Sequence, residues 1–465
     1  MQKFITQLKD IVGNAGLTTD DNERKVFSRD TWVLSDLRDF LGAGPDVPMA
    51  IVSPQDTEQL SKVVGLCCAH ETPMIPFGAG SGVCGSIVGQ ANAVVISTRS
   101  MQGLIELDEE NMLASFWTGT MGSEAERLVA EQGYTIGHWP QSIDISSVGG
   151  WLATRASGQY STAYGNIEDI VFSLEAVLPD GSVYQSAHTP RAAAGPDLRQ
   201  LLIGSEGTLG IISKVTFSIR RKAATKKTQA FCFSEFPVAL RCVREIMTRG
   251  WRPPVIRLYD AKESHRHFGD SCPKGQMMLI FLHEGEPETV HAEASGVAQL
   301  CESFNGAVAD QKVVEQWFER RNEVPSFRSL IEQGLIVDTI EVGAVWSRLP
   351  DVYAQVIAAV AGVDSVIAVS AHLSHAYKSG ANLYFTIAAA PGSAQKMEAT
   401  YLAFWDAAMS ATLESGGGIA HHHGIGRVRK NYLVNELGEV GMSMLKQIKS
   451  TLDPLGLMNP GNLLP

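Results

Sequence analysis

No stretch of the sequence is apolar for long enough to cross a lipid bilayer. The most apolar segment, 352–371, is interrupted by Gln355, Gly362 and Asp364, whereas a membrane-spanning helix needs about 20 consecutive apolar residues. The first six residues lack the apolar centre of a secretory signal. We therefore expect no integral membrane segment and a cytoplasmic protein.

The sequence is also short of positive charge and of cysteine. It has 38 Lys and Arg against 50 Asp and Glu, and the formal net charge is -12 at pH 7 with the two signs interspersed. This balance argues against a nucleic-acid or anionic-lipid partner and favours small molecules. Seven cysteines without a C-x-x-C pair fit neither a disulfide framework nor a zinc ribbon, so we expect reduced thiols.

Glycine, by contrast, is concentrated in a loop at 76–85, which has four glycines in eight residues. Such a loop lets backbone N–H groups approach an anion closely, and we interpret it as a diphosphate cradle. The spacing also satisfies the G-x-G-x-x-G fingerprint, but that motif requires a helix directly after the loop. Here the chain instead enters a β-type run at 93–97. A dinucleotide fold is disfavoured, and a plain tight turn remains the other alternative.

Two further stretches, 146–169 and 201–212, are rich in glycine, serine and small residues. One interpretation is a backbone surface that lies against a flat ligand, and the alternative is a set of closely packed turns. The first interpretation predicts that all three glycine-rich stretches meet at a single ligand.

Together with the ending at 453–462, these stretches resemble the FAD-binding flavoproteins of the vanillyl-alcohol oxidase type, also called PCMH-type, over residues 48–463. Within that group the chain is most similar to the alkyl-dihydroxyacetone-phosphate synthases and more distantly to the D-2-hydroxy-acid dehydrogenases. The stretches that carry the similarity to the synthases are 149–158, 164–169, 256–258, 377–385 and 421–430.

The resemblance implies an α+β fold, with a two-lobed FAD-binding domain of the vanillyl-alcohol oxidase type and an inserted α+β cap domain for substrate. We place the FAD-binding domain at 1–222, the cap at 223–410 and a C-terminal return to the flavin at 411–465. Within the cap, hydrophobic patterning predicts helices at 236–249, 287–304, 313–321 and 350–360, and strands at 255–259, 277–282, 338–342, 366–371 and 382–387.

The resemblance also implies the residues that hold FAD. Residues 77–86 contain no histidine for a covalent link, so we expect the cofactor to be non-covalent. The candidate cofactor-binding residues are Pro76, Gly78, Ala79, Gly80, Ser81, Gly82, Gly85, Ser86, Ser142, Asp144, Ser147, Val148, Gly149, Gly150, Ala153, Thr154, Ala156, Ser157, Gly158, Glu206, Gly207, Ile211 and Asn462.

Three consecutive histidines, His421, His422 and His423, follow a run of three glycines. A neutral imidazole near pH 7 is a suitable general base, and the flexible approach would aim it into a pocket. Because side chains alternate along an extended chain, His421 and His423 are expected to share a face with His422 opposite. By resemblance to the synthases, His422 is the base and Tyr384 its partner. The candidate catalytic residues are His422, His423, Tyr384, His421, His372 and Arg257.

A metal site is the alternative use of these histidines. The D-2-hydroxy-acid dehydrogenases hold a divalent ion with two histidines and a glutamate, and by resemblance Tyr384 and His422 replace two of those ligands here. His372, His375 and His422 still form a candidate nitrogen site for zinc. Since the acidic ligand is lost, we expect no metal.

The resemblance to the synthases is incomplete at position 372, where that family has an arginine. A histidine reaches less far and offers no bidentate fork to an anion. Arg257, Arg321 and Arg328 remain the candidate anion clamps.

Two enzyme classes follow from these residues. The first is an FAD-dependent oxidoreductase that oxidises a small hydroxylated, anionic substrate by hydride transfer to flavin N5, with oxygen, a quinone or an electron-transfer protein as acceptor. The second is an alkyl-dihydroxyacetone-phosphate synthase, which uses the flavin without net redox change. We favour the first, because the change at position 372 removes part of the synthase's chemistry. A homodimer remains open, and the histidine–tyrosine cluster argues against a flavin-binding protein without catalysis.

Overall fold

The structure, a computed structural model, describes residues 2–324 and 326–464. Its α-helices, in chain order, are α1 (Gln2–Val12), α2 (Asp21–Val26), α3 (Val33–Phe40), α4 (Thr57–Ala69), α5 (Gly122–Ala130), α6 (Val148–Thr154), α7 (Ser161–Tyr164), α8 (Ile167–Ile170), α9 (Arg199–Leu202), α10 (Phe236–Thr248), α11 (Ala261–Phe268), α12 (Pro287–Ser303), α13 (Lys312–Arg320), α14 (Arg328–Glu332), α15 (Leu349–Ala361), α16 (Ala394–Glu414) and α17 (Leu433–Leu452).

The strands, in chain order, are β1 (Leu17–Thr18), β2 (Ala50–Val52), β3 (Met74–Phe77), β4 (Val94–Ser97), β5 (Leu104–Asp108), β6 (Leu113–Trp117), β7 (Tyr134–Thr135), β8 (Val171–Val177), β9 (Val183–Gln185), β10 (Ile211–Ser218), β11 (Arg220–Arg221), β12 (Thr225–Phe233), β13 (Val255–Tyr259), β14 (Met277–Gly285), β15 (Ala307–Val308), β16 (Ile336–Val345), β17 (Val366–Leu373) and β18 (Gly380–Ala389).

The first sheet has the strand order β1-β2-β4-β3, in which β2, β4 and β3 are parallel. Helix α4 connects β2 to β3, and its N-cap is Asp56, whose carboxylate accepts the Gln59 N–H at 2.8 Å. The glycine loop follows the carboxyl end of β3, where ligands commonly bind in α/β sheets. The chain then runs without a helix to β4, so the dinucleotide alternative is excluded.

The second sheet is antiparallel, in the order β5-β6-β10-β8-β9, and β8 and β9 form a hairpin. The glycine-rich run after Ser146 contains the short helix α6, whose N-cap Ser147 accepts the Gly150 N–H at 3.3 Å. We expected only loop or turns there. The helix forms in spite of two glycines because Trp151 and Leu152 are buried in the core beneath this sheet.

The third sheet has seven antiparallel strands, in the order β15-β12-β14-β13-β17-β18-β16. The four helices predicted in this part of the chain are confirmed as α10, α12, α13 and α15, with ends that differ by one residue at most. Of the five strands predicted there, β13 has the predicted bounds, and β14, β16, β17 and β18 each run two or three residues further at one or both ends. The core of this sheet also receives α3 and Trp32 from the N-terminal segment.

Across residues 2–324 and 326–464, no helix has both the length and the apolar character that crossing a membrane requires.

Candidate active site

A single cavity of about 1150 Å³ is lined by all three glycine-rich stretches and by strands β13, β16, β17 and β18. Pockets for drug-sized ligands usually enclose about 300–1,000 Å³. The cavity therefore has room for a large cofactor together with a small second molecule. The position of the three stretches around one cavity agrees with the expectation that they border a single ligand site.

Most of the candidate cofactor-binding residues line this cavity. They are Pro76, Gly78, Ala79, Gly80, Ser81, Gly82, Ser86, Ser142, Ser147, Gly149, Gly150, Ala153, Thr154, Ala156, Ser157, Glu206, Gly207 and Ile211.

Five of the predicted residues do not line the cavity, and packing explains four of them. A Cβ at Gly85 would lie 2.3 Å from the Trp32 ring, and one at Gly158 would lie 2.5 Å from a backbone nitrogen, so both glycines permit close packing. Val148 is buried in the core, and Asn462 donates from Nδ2 to Glu206. Asp144 is exposed to solvent.

The loop after β3 presents unused backbone donors. Within the described part of the chain, no amide from Ala79 to Val83 donates a hydrogen bond. The carbonyl groups of the same loop are engaged: Arg99 donates to Gly78 and Ala79 at 3.3 and 2.8 Å, and the Thr31 N–H donates to Gly82 at 2.9 Å. A loop with occupied carbonyls and free N–H groups is suited to hold an anion such as a diphosphate.

The histidine segment, His421–His423, is bent rather than extended. The side chains of His422 and His423 both line the cavity, with ring centroids 4.5 Å apart, whereas His421 does not line it. The predicted alternation, with His422 opposite the other two, is therefore wrong. The cause is Glu341, whose carboxylate accepts the backbone N–H groups of both His421 and His423, the latter at 2.8 Å.

Two buried carboxylates hold the segment, Glu341 at the histidines and Glu206 just after them. The side chains of Glu341 and Arg429 are both fully buried and form an ion pair of 3.2 Å. Farther along, Glu206 accepts the N–H of Ile425 at 2.6 Å and the hydroxyl of Ser86 at 2.7 Å. Glu206 thus lines the cavity, and its oxygens join the histidine segment to the glycine loop. Its role in binding the cofactor stays a prediction.

Arg257 and His372 face the cavity from neighbouring strands. The Arg257 guanidinium lies 2.8 Å from Nε2 of His372 and donates to the Tyr259 hydroxyl at 2.9 Å. The His372 ring stacks between Tyr259 and Tyr384, at centroid distances of 5.2 and 4.9 Å. The Tyr384 hydroxyl donates to Thr339 rather than to His422. Tyr384 therefore contacts the histidines through its ring.

The two other candidate anion clamps differ in position. Arg321 lines the cavity and donates to the Tyr160 hydroxyl at 2.6 Å. Arg328 lies outside it and pairs with Asp39 and Glu332, at 3.0 and 3.2 Å. Cavity residues that the sequence did not single out include Glu263, Arg266, His267, Trp317, Arg320 and Asn459.

Burial sets the charge of the histidines. It lowers the pKa of His421 to about 4 and of His423 to about 3, and it holds the pKa of His422 well below the usual value. Burial likewise lowers the pKa of His372 to about 4. The cluster is therefore neutral at pH 7, the form in which an imidazole acts as a base.

The nitrogens that come closest to a metal-binding arrangement belong to His375, His421 and His422, which offer ligand atoms within 4.8 Å of one another. The set considered from the sequence had His372 in place of His421. His372 instead lies beside Arg257. Within the described residues, Nδ1 of His421 and Nδ1 of His422 are 2.9 Å apart and bond to each other. The absence of a metal stays a prediction.

Comparison with known families decides the cofactor. Residues 48–186 match the family of the FAD binding domain, and residues 222–463 match the C-terminal domain of FAD linked oxidases. The chain belongs to the FAD-linked oxidases. The predicted resemblance to FAD-binding flavoproteins is thus confirmed, and so is the expectation of an enzyme.

Its relatives include both classes considered from the sequence. The chain is 33% identical to the uncharacterized FAD-linked oxidoreductase YgcU of Escherichia coli, over 99% of this chain and 98% of that protein. It is 28% identical to alkyldihydroxyacetonephosphate synthase of Caenorhabditis elegans, over 91% of this chain and 77% of the synthase. It is 26% identical to glycolate oxidase subunit GlcD of Bacillus subtilis, over 90% and 89%.

Solved structures confirm the fold class. An alkyldihydroxyacetonephosphate synthase superimposes with a TM-score of 0.84 at 24% identity, over 99% of this chain and 86% of the synthase chain. The p-cresol methylhydroxylase superimposes with a TM-score of 0.79 at 15% identity, over 99% and 96%. At these identities the likeness concerns the fold alone.

The residues present fit an FAD. The free amides of 79–83 suit its diphosphate, and the cavity continues from this loop to the histidine segment with enough volume for the whole cofactor.

Gly80→Val should greatly reduce FAD occupancy. Gly80 has φ +80°, and a Cβ there would lie 2.6 Å from the Phe77 ring. The substitution therefore distorts the loop itself, whereas the sequence alone attributed its cost to a block on the ligand's approach. The ratio of flavin to protein absorbance measures the effect. Gly103→Val is the control, because that glycine also has a positive φ but no atom within 4 Å of its Cβ position. A Gly80→Val protein as yellow as the control would contradict the cradle.

Proposed function

We propose that the chain is an FAD-dependent oxidoreductase that oxidises a small hydroxylated, anionic substrate by hydride transfer to flavin N5. The observation that carries the proposal is the presence of a neutral, buried base and a guanidinium in the same cavity. His422 is held neutral by burial, and Arg257 lines the wall formed by β13. A hydroxyl proton and an anionic group of one substrate can meet these two side chains.

In this proposal His422 takes the proton of the substrate hydroxyl at Nε2. When bound, FAD supplies the hydride acceptor for the substrate carbon. The surrounding rings keep water away from the base, since the His422 ring lies 4.5 Å from His423, 5.1 Å from His375 and 6.1 Å from Tyr384. His423 is the second candidate base, and it approaches Tyr384 edge to face at 5.5 Å.

Arg257 is the proposed anion-binding group, with His372 as its support. The guanidinium of Arg257 can only donate, so Nε2 of His372 accepts its hydrogen bond. Because the pKa of His372 is low, His372 is neutral at pH 7 and the pair carries one positive charge rather than two. Arg321 lies in the same cavity but is surrounded by the rings of Trp139 and Phe318, at 4.8 and 4.9 Å. We assign it to holding those rings rather than to binding substrate.

The synthase remains the second candidate function. The 28% identity to the worm synthase over most of the chain supports it. His372 argues against the synthase function. By resemblance, this histidine stands where the synthases have an arginine, and its Nε2 already accepts a hydrogen bond from Arg257.

Anaerobic mixing of the purified protein with a panel of hydroxy acids and sugar acids tests the proposal. We expect at least one member to bleach the flavin absorbance. If none does, and labelled fatty alcohol is exchanged into acyl-dihydroxyacetone phosphate, the chain is a synthase. We further propose oxygen, a quinone or an electron-transfer protein as the acceptor, which reoxidation of the bleached protein with each would identify.

We propose that the FAD is bound without a covalent link in a cytoplasmic enzyme, and a homodimer is the alternative to a monomer. Acid precipitation should release all the flavin into the supernatant, because the glycine loop contains no histidine. Flavin that stays with the pellet would contradict this. Sedimentation at micromolar concentration measures the oligomeric state.

A further inference from the structure

A line of hydrogen bonds runs from the proposed base into the protein interior. Nδ1 of His422 lies 2.9 Å from Nδ1 of His421, and Nε2 of His421 lies 2.7 Å from the Tyr377 hydroxyl. The Tyr377 hydroxyl in turn donates to Oδ1 of Asn166 at 3.2 Å. The sequence had paired His422 with Tyr384 and had assigned no role to Tyr377 or Asn166.

Asn166 determines the direction of every proton in this line. Its Oδ1 also accepts the hydroxyl of Ser157 at 2.8 Å, so it is an acceptor on both sides. A tyrosine hydroxyl has one proton, and Tyr377 gives that proton to Asn166. The Tyr377 oxygen therefore accepts from His421, which must carry its proton on Nε2.

The same reasoning fixes the tautomer of His422. With its proton on Nε2, neutral His421 has a lone pair on Nδ1, so the short contact between the two Nδ1 atoms requires a proton on Nδ1 of His422. Neutral His422 then has its lone pair on Nε2. Within the described residues that nitrogen has no hydrogen-bond partner, and the His422 side chain lines the cavity.

We propose that Tyr377, through His421, is a positioning residue that holds His422 in the tautomer whose free Nε2 faces the substrate. The inference rests on the proposed function, in which His422 takes a substrate proton. A histidine whose neighbour fixes the wrong tautomer loses its role as a base even when its geometry is kept. The bond to His421 also stabilises the protonated form of His422, because His422 still donates from Nδ1 after it gains a proton on Nε2.

The charged and titratable groups that surround His422 come from several elements. His421 and His423 flank it in the chain, His375 faces it from the loop between β17 and β18, Tyr384 from β18 and Arg429 from the segment after the histidines. Glu341 of β16 lies beside the neighbouring His423, at 3.7 Å. Removing the Tyr377 hydroxyl changes none of these charges, so it isolates the effect of the hydrogen-bond line.

Tyr377→Phe should keep its FAD and lower the limiting rate of flavin reduction at least about tenfold, since loss of the group that fixes the tautomer of a catalytic histidine can cost up to about 10⁴-fold. The dissociation constant of the substrate should not change. The acidic limb of the pH–rate profile should move to lower pH, because protonated His422 loses its acceptor. Tyr432→Phe is the matched control, since that hydroxyl bonds only to Asp406 on the surface.

Asn166→Asp tests the direction of the line, because both carboxylate oxygens accept and Tyr377 must still donate to one of them. It should react at nearly the wild-type rate, whereas Asn166→Leu should behave like Tyr377→Phe. A Tyr377→Phe protein with the wild-type rate and an unmoved acidic limb overturns the proposal.

A second measurement does not depend on activity. In holoenzyme labelled with ¹⁵N-histidine, long-range proton–nitrogen spectra report the tautomer of each ring, and the His422 signals are those missing from His422→Phe. We expect Nδ1 protonated and Nε2 unprotonated in the wild type, with the proton redistributed towards Nε2 in Tyr377→Phe. The opposite tautomer in the wild type overturns the inference even if no substrate of the panel reacts. Failure of the panel alone concerns only the proposed function.

Discussion

His422→Phe should slow flavin reduction about a hundredfold or more, because a general base commonly contributes 10²–10⁴-fold to the rate. The variant should still fold and bind FAD. His422 belongs to a bent segment, and that segment is held by backbone bonds from its two neighbours to Glu341, which a phenylalanine leaves in place. The rate at which the visible flavin absorbance is lost in anaerobic stopped flow measures the effect.

His188→Phe is the matched control, since His188 is exposed and contacts Ser173 and Phe172, away from the cavity. It should reduce at the wild-type rate. A His422→Phe enzyme that also reduces at that rate moves the role of base to His423 or Tyr384. If the wild type instead contains stoichiometric zinc or manganese and a chelator abolishes reduction, the histidines are ligands and our expectation of no metal is wrong.

Patterning predicted the elements of the fold well because hydrophobic periodicity is a local property of the chain. The helices α10, α12, α13 and α15 are each amphipathic or apolar over whole turns, and their ends lie at prolines or polar residues that the sequence displays. Helix α6 was missed, because its two glycines lower the helix propensity of the segment. The helix is stabilised instead by the burial of Trp151.

Motifs located the cavity, but they did not reveal what holds its catalytic segment in shape. Resemblance pointed to the histidines and to Arg257; His422, His423 and Arg257 line the cavity, whereas His421 does not. Glu341 was not identified, since it lies in an apolar strand about 80 residues before the histidines that it holds. Its one sequence signal is a charged residue at an inward-facing position of β16, and such a residue is rarely buried without a partner.

The conformation of the histidine segment also could not be predicted from its amino-acid sequence. Alternation of side chains assumes an extended chain, whereas the bonds to Glu341 and Glu206 bend it. Long-range hydrogen bonds of this kind have no signature within a window of neighbouring residues.

Arg429→Met should lower the free energy of unfolding by about 3–5 kcal/mol, because removal of one partner leaves the other charge buried and uncompensated. Arg429 and Glu341 are both fully buried, and Arg429 further donates to the Gly424 carbonyl at 2.8 Å. Denaturant unfolding at saturating FAD measures the loss. Arg249→Met is the control: its pair with Glu245 is exposed, and such pairs contribute only about 0–1 kcal/mol.

The double variant Arg429→Met with Glu341→Gln separates the ion pair from the backbone anchor. A neutral glutamine removes the uncompensated charge, so the double variant should be less destabilised than the sum of the two single variants. It should nevertheless reduce flavin slowly, because one amide oxygen can no longer accept the N–H groups of both His421 and His423 as the carboxylate does. If Arg429→Met loses no more stability than Arg249→Met, the ion pair does not hold the segment. Recovery of both stability and rate in the double variant would show that Glu341 serves only to neutralise Arg429, and the bend of the histidine segment would then need another cause.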